Sequence, residues 1–264
     1  MAVKPTKRTV VVQSHRMPLP HGFLRPAMDS VARWAAGQGF DYEFLDDQLF
    51  ERVAPDLRHK CADQLVVATD LARLCVLQEL FAAGAQRVVW CDADTLIFAP
   101  ELIELPDEGA AFGREIWLQE EQGKLRIRRK IHNAFMVFCA DDPVLDFYAF
   151  AAERVIRRHA PPEQASMVAQ LVGPKFLTLL HNVLEFDVLE GAQVLSPPLL
   201  HALLDDNDEV LALYHAQASA PAYAMNLCAS EIARGSINTK QIEQVIVRLL
   251  NQGLAYNELS TRRG

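Results

Sequence analysis

Two carboxylates two residues apart, Asp92 and Asp94, directly follow the apolar run Arg87-Val88-Val89-Trp90-Cys91. If that run is a buried strand, both side chains reach the same space above the sheet edge. Carboxylate oxygens suit the hard ions Mg²⁺ and Mn²⁺, which keep open positions for substrate phosphates. Asp-x-Asp alone equally describes a solvated acidic turn. The segment upstream narrows the choice. Asp70 and Arg73 stand three apart in Thr69-Asp70-Leu71-Ala72-Arg73-Leu74-Cys75-Val76-Leu77 and so share a helix face. A surface pair of this kind contributes little. Here Leu71, Leu74, Val76 and Leu77 surround it with apolar side chains.

The elements that must carry these residues follow from hydrophobic period and punctuation. Residues 9–13 (TVVVQ) are β-branched and apolar, as in a strand buried on both faces. Pro26 and Gly37 bracket a helix with Met28, Val31, Trp34 and Ala35 at helical spacing. Residues 40–45 read as a second strand ending at Asp46-Asp47, residues 62–83 as a long helix closed by Gly84, and residues 87–91 as a third strand. This rhythm predicts an α/β, Rossmann-like fold with a mostly parallel sheet. Ligands gather at the carboxyl ends of such strands, where the acidic clusters 46–47 and 92–94 fall.

Further along, residues 116–119 and 124–128 predict a hairpin, and 134–139 another apolar strand. Asp142-Pro143 predicts the N-cap and first position of a helix reaching Arg158. Residues 163–171 read as helical, interrupted by Gly173-Pro174, and Val188, Val194 and Leu195 suggest short strands. Residues 209–214 read as a buried strand with His215 emerging at its end. Ile237, Ile242, Val245, Ile246, Leu249 and Leu250 form the apolar stripe of a C-terminal helix.

Taken together, the Asp70-x-x-Arg73 helix and the strand running into Asp92-Ala93-Asp94-Thr95-Leu96-Ile97-Phe98-Ala99-Pro100-Glu101-Leu102 resemble the GT-A glycosyltransferases with a sugar-binding DXD motif, families 8 and 32. The resemblance is strongest over residues 66–106. It extends to Phe40-Asp41-Tyr42-Glu43-Phe44-Leu45-Asp46-Asp47, to Asn133-Ala134-Phe135-Met136-Val137-Phe138, and to Val172-Gly173-Pro174-Lys175-Phe176-Leu177-Thr178. It implies a GT-A (Rossmann-like), mostly parallel central sheet flanked by helices, with a helical C-terminal part. One domain would span 1–264: a nucleotide-sugar-binding half at about 1–115, an acceptor-side half at about 116–235, and a C-terminal helix at 236–264.

The same resemblance implies site roles. Gln13, Ser14 and Asp46 would meet the nucleoside, and Asp70 and Arg73 the donor sugar or phosphate. Asp92, Ala93 and Asp94 would complete the donor site, with Mn²⁺ or Mg²⁺ held by Asp92, Asp94 and a late histidine, His215 rather than His201. Asp70, Arg73 and Asn133 are the expected catalytic residues; Gly173 and Pro174 stand on the acceptor side. The implied activity is transfer of a hexose from a nucleotide-diphosphate sugar, UDP-sugar favoured, to a saccharide, glycoconjugate or other hydroxyl acceptor with retention. This chain departs from the pattern at Ala134, where the family usually has Gly, at Gly84-Ala85, where Gly-Gly is common, and in lacking any Trp after Trp117.

Composition sets further bounds. The net charge of -8 and pI near 5.5 exclude general nucleic-acid binding, which needs a basic surface. Five cysteines without a Cys-x-x-Cys pair read as buried thiols in a reducing compartment. With no apolar window long enough to span a bilayer, a cytoplasmic protein without a transmembrane segment is expected. The basic cluster Lys124, Arg126, Arg128, Arg129 and Lys130 reads as a solvated hairpin or as a contact for an anionic acceptor. Two other classes compete: a haloacid-dehalogenase-like phosphatase, disfavoured by Leu96, and a non-catalytic nucleotide-sugar-binding module. Oligomeric state is not written in the sequence.

Overall fold

The structure, a computed structural model, describes residues 7–160, 164–184 and 186–261, with 253–261 as backbone alone. The first part alternates strand and helix: β1 (Thr9–Ser14), α1 (Leu24–Gln38), β2 (Asp41–Leu45), a 3₁₀ turn (Asp47–Arg52), α2 (Pro55–Lys60), α3 (Leu65–Ala82) and β3 (Arg87–Cys91). Then come β4 (Thr95–Ile97), β5 (Ala110–Glu121), β6 (Lys124–Cys139), α4 (Val144–Arg158), α5 (Pro174–Leu184), β7 (Asp187–Leu189) and β8 (Ala192–Val194). The chain ends with α6 (Pro197–Asp205), α7 (Asp208–His215), β9 (Ala224–Asn226), α8 (Ser230–Ala233) and α9 (Thr239–Thr261).

The main sheet has the order β2-β1-β3-β6-β5-β7. β1 pairs in parallel with β2 and β3, β5 pairs in parallel with β7, and β6 runs antiparallel between β3 and β5. Five of six strands therefore point one way, the expected mostly parallel sheet flanked by helices. Strand alternation divides the core into two layers. Val11, Val89, Cys91, Phe135 and Val137 face α1, α6 and α9, whereas Val10, Val12, Val88, Trp90, Met136 and Phe138 face α3, α4 and α5. Each fully buried valine contributes about 1.5–3 kcal/mol, which fixes the inner strands and the loops at their ends.

Several expectations are corrected. α1 is closed by Gly39 at φ 70°, not Gly37, because Gly39 takes the left-handed position that ends the helix. The hairpin's second arm and the expected strand at 134–139 are one element: β6 runs from Lys124 to Cys139, and its ladder with β5 shifts register between Phe112 and Gly113, so that residues 133–135 bulge. Pro143 is itself the N-cap of α4, with Asp142 Oδ1 accepting from Val144 N–H at 2.8 Å. Residues 164–171 are turns and irregular backbone rather than helix, and α5 starts at Pro174. Glu163 and residues 262–264, included in the expected helices, lie outside the described residues. The supposed strand at 209–214 is helix α7, capped by Asn207 Oδ1 accepting from Val210 N–H at 3.2 Å. Only Tyr214 of that helix is buried, so its apolar run was helical packing.

Candidate active site

Three strand ends converge on one cleft of about 700 Å³. Ser14 closes β1, Asp46 follows β2 and Asp92 follows β3, and all three line it. Asp92 is held at the rim of β3 because its N–H donates to Ala134 O on β6 at 2.8 Å. The turn then enters β4, which joins β9 and β8 in a small second sheet.

The centre of the cleft is Arg73, 5 % exposed. α3 brings Asp70 and Arg73 to the sheet among apolar neighbours of the same helix, so their charges are met mainly by each other, Asp92 and Asn133. The guanidinium pairs with Asp70 Oδ1 at 3.2 Å and Asp92 Oδ1 at 3.0 Å, and donates to Asn133 O at 2.9 Å. It also lies over the Trp90 ring, 5.1 Å from its centre, while Trp90 Nε1 donates to Asp92 Oδ1 at 2.7 Å. Asn133 Nδ2 donates to Asp70 Oδ1 at 2.8 Å. Motifs separated by up to 63 residues thus meet on one cation.

Asp94 is held differently. Asn226 Nδ2 donates to its Oδ1 at 2.6 Å and Ala229 N–H to its Oδ2 at 2.8 Å. Cys228, between them, adopts φ 52° in the left-handed region, which non-glycine residues enter at a cost. That bend aims the next N–H at the carboxylate. Burial pushes the Asp94 carboxyl up to about 6, and neighbouring Asp92 adds to the shift. Burial also pushes Asp70 up to about 6, against the charge of Arg73. Arg73 is held above its ordinary range because Asp92 and Asp70 outweigh the burial that opposes its charge. Asp70 Oδ2 is buried without a hydrogen-bond partner. It abuts Gly173, where a Cβ would lie 2.7 Å from it. A glycine is therefore required for the chain to pass.

The cleft brings together Ser14, Asp46, Asp70, Arg73, Asp92, Ala93, Asp94, Asn133 and Pro174 from the expected set. Gln13 stands behind it, donating to Asp92 O at 3.0 Å and accepting from Tyr42 Oη at 3.0 Å. Gly173 acts through its approach to Asp70. His215 is not among the lining residues; it ends α7, its ring 5.6 Å from that of Tyr214. The place expected for it beside Asp94 is taken by Asn226 and Ala229. Among the described residues no group of three or more His, Cys, Asp or Glu side chains is arranged to hold a metal ion.

Sequence reasoning missed Trp90, Asn226 and the Glu115–Lys130 pair. Trp90 passed for core, and β9 is too short to read by period. Glu115 two residues before Trp117 on an alternating strand was a usable signal. The basic cluster is largely neutralised: Lys130 pairs with Glu115 at 3.2 Å, Arg128 with Glu121 at 2.6 Å and Arg129 with Glu190 at 3.3 Å. Beside this wall His132 is buried where it lines the cleft. Its Nδ1 accepts from Ala134 N–H at 3.1 Å and its Nε2–H donates to Ala192 O at 3.0 Å. Burial lowers it to about 4.

Fold and site define an α/β protein with an acidic cleft at the carboxyl ends of its parallel strands. No family model and no curated protein matches the sequence. Among solved structures, a glycosyltransferase involved in the glycosylation of the major capsid of PBCV-1 aligns with TM-score 0.44 and 9% identity, over 90% of this chain and 98% of its own. The galactosyltransferase LgtC, in complex with donor and acceptor sugar analogs, gives 0.41 and 13%, over 91% and 95%. The glycosyltransferase GlyE of Streptococcus pneumoniae TIGR4 gives 0.40 and 10%, over 94% of this chain and 64% of its own. At TM-scores below 0.5 these likenesses decide nothing about what this chain does.

Proposed function

We propose that this chain is a single-domain, metal-dependent glycosyltransferase of GT-A type. It would move a hexose from a nucleotide-diphosphate sugar, UDP-sugar favoured, to a hydroxyl acceptor, with the retention that its resemblance to families 8 and 32 implies. The observation that carries the reading is the convergence on Arg73: the Asp70-x-x-Arg73 helix, the Asp92-Ala93-Asp94 turn and Asn133 meet at one guanidinium. Three carboxylates against that one cation leave a surplus of negative charge in the cleft, which a divalent ion would balance.

The donor set suits Mn²⁺ or Mg²⁺. Asp92 Oδ1 takes the bonds from Arg73 and Trp90, and Asp94 accepts one hydrogen bond on each oxygen, which leaves lone pairs on both residues. Such ions need only one or two carboxylates when substrate phosphates and water supply the rest. Asp92 and Asp94 would hold the ion, which when bound neutralises the diphosphate as it leaves. Asn226 and Ala229 fix the Asp94 carboxylate. Asp70 shares its Oδ1 between Arg73 and Asn133 while its Oδ2 is enclosed against Gly173, so it would act on the donor sugar by holding Arg73 and Asn133 in place. Arg73 positions Asp70, Asp92 and the Asn133 backbone, and its remaining Nη2 hydrogen would meet the donor sugar or phosphate. No helix among the described residues is long and apolar enough to cross a membrane; a cytoplasmic location remains part of this proposal.

The test is UDP release from a panel of UDP-hexoses, with Mn²⁺ and with chelator. At least one donor should be turned over in a metal-dependent manner. Asp92→Asn and Asp94→Asn should slow this by about a thousandfold, the scale of losing several kcal/mol of charge stabilisation, with the folded circular-dichroism spectrum retained. Metal-independent turnover, or near-normal turnover in either variant, removes the metal assignment. Binding without turnover points to a non-catalytic module, and release of inorganic phosphate from a phosphomonoester such as p-nitrophenyl phosphate, with no UDP formed from any donor, points to a phosphatase.

A further inference from the structure

The cleft has a second wall that the donor reading does not use. β5 alternates so that Glu115, Trp117 and Gln119 project to one face, while Ile116 and Leu118 are wholly buried on the other. Glu115, Trp117 and Gln119 line the cleft with Lys130, which lies directly opposite Glu115 in the β5–β6 register. The three tryptophans of the chain differ in what they touch. Trp34 packs against Phe40 and Phe135, and Trp90 carries Arg73 over its ring. Trp117 is half-buried at the cleft, and among the described residues no ring or guanidinium is recorded against it.

The surrounding polar groups are balanced in charge. Lys130 Nζ donates to Glu115 Oε1 at 3.2 Å, and Gln119 Nε2 donates to Glu121. The pair retains two ammonium hydrogens and a second carboxylate oxygen, and Gln119 retains its carbonyl. An indole face rimmed by donors and acceptors without net charge complements a molecule with an apolar C–H face and a rim of hydroxyls.

We propose that this wall is an acceptor subsite for a neutral pyranose, stacked on Trp117 with its hydroxyls bonded to Glu115, Lys130 and Gln119. The assignment of this sugar as acceptor rests on the glycosyltransferase reading; the sugar-binding surface itself does not. The experiment is saturation-transfer NMR with methyl glycosides of the common neutral hexoses, in parallel with a UDP-hexose and Mn²⁺. At least one glycoside should bind the wild type. Trp117→Ala should weaken it by about tenfold, the worth of one good aromatic contact, and Trp117→Phe should restore most of it. UDP-hexose binding should be unchanged in both variants. If Trp117→Ala melts early, Gln119→Ala is the second variant, with a several-fold loss expected. A UDP-hexose that binds while no glycoside does, or a glycoside held equally by wild type and Trp117→Ala, overturns the subsite. Glycosides that bind while no UDP-hexose does would remove the donor reading and leave the subsite standing.

Discussion

Arg73 and Lys130 each join a buried carboxylate on opposite walls of one cleft, yet the two walls are built differently. The Arg73 side chain is 6% exposed and its partner Asp70 3%. Lys130 is 27% exposed against 8% for Glu115, and the next pair out, Arg128–Glu121, is 52% and 40% exposed. On the first wall a helix packed among apolar side chains leaves the charges only each other, so their geometry is fixed before any ligand arrives. On the second, charge is graded along a hairpin from buried to solvated, and its side chains can adjust. Rigid placement suits groups that meet developing charge; an adaptable rim suits recognition.

Breaking the hub is the sharpest way to test this contrast. Arg73→Ala leaves Asp70 buried without its cation and should cost about 3–5 kcal/mol in urea unfolding, the scale of an orphaned buried charge. A loss below about 1 kcal/mol, the value of an exposed pair, would make the two walls equivalent.

The second prediction concerns pH. His132 is neutral when folded, its titration lowered from 6.5 to about 4. The unfolded chain therefore binds the extra proton between pH 6.5 and 4, and stability present above that window is lost as pH falls through it. The shift corresponds to about 3 kcal/mol. The raised Asp70 and Asp94 carboxyls act in the opposite sense, favouring the folded state as pH falls below about 6. His132→Gln isolates the imidazole. It should start less stable at neutral pH, because Ala134 N–H loses its acceptor, and should then lose less than wild type on acidification. Parallel stability profiles for the two proteins would refute the assignment.

The smallest effects lie on the hairpin. Lys130→Ala should cost about 1–3 kcal/mol, since Glu115 stays buried without its donor. Arg128→Ala should leave the urea midpoint unchanged. Equal effects of the two would mean that exposure does not grade this wall.

Some of this architecture was legible in the residues. Residues 87–91 read as a strand and match β3 residue for residue, because five consecutive buried side chains leave no polar face to mislead the period. Asp92, Asp94, Asp70, Arg73 and Asn133 were singled out and do share one cleft. The strand expected at 209–214 failed for a local reason. Val210, Leu211 and Tyr214 form an apolar run that suits strand or helix, and only the Asn207 cap with its place beside α6 made it helix.

Sequence by itself determined the alternation of buried strands and helices and the acidic residues at their carboxyl ends, because hydrophobic period and turn chemistry act over a few neighbours. Tertiary structure alone decided who meets whom. The bond from Arg73 to Asn133 O spans 60 residues, and that from Asn226 to Asp94 spans 132. Such contacts depend on which strand lies beside which, and on Gly173 letting a distant segment close over Asp70. No local pattern encodes that closure; it follows from packing the whole core.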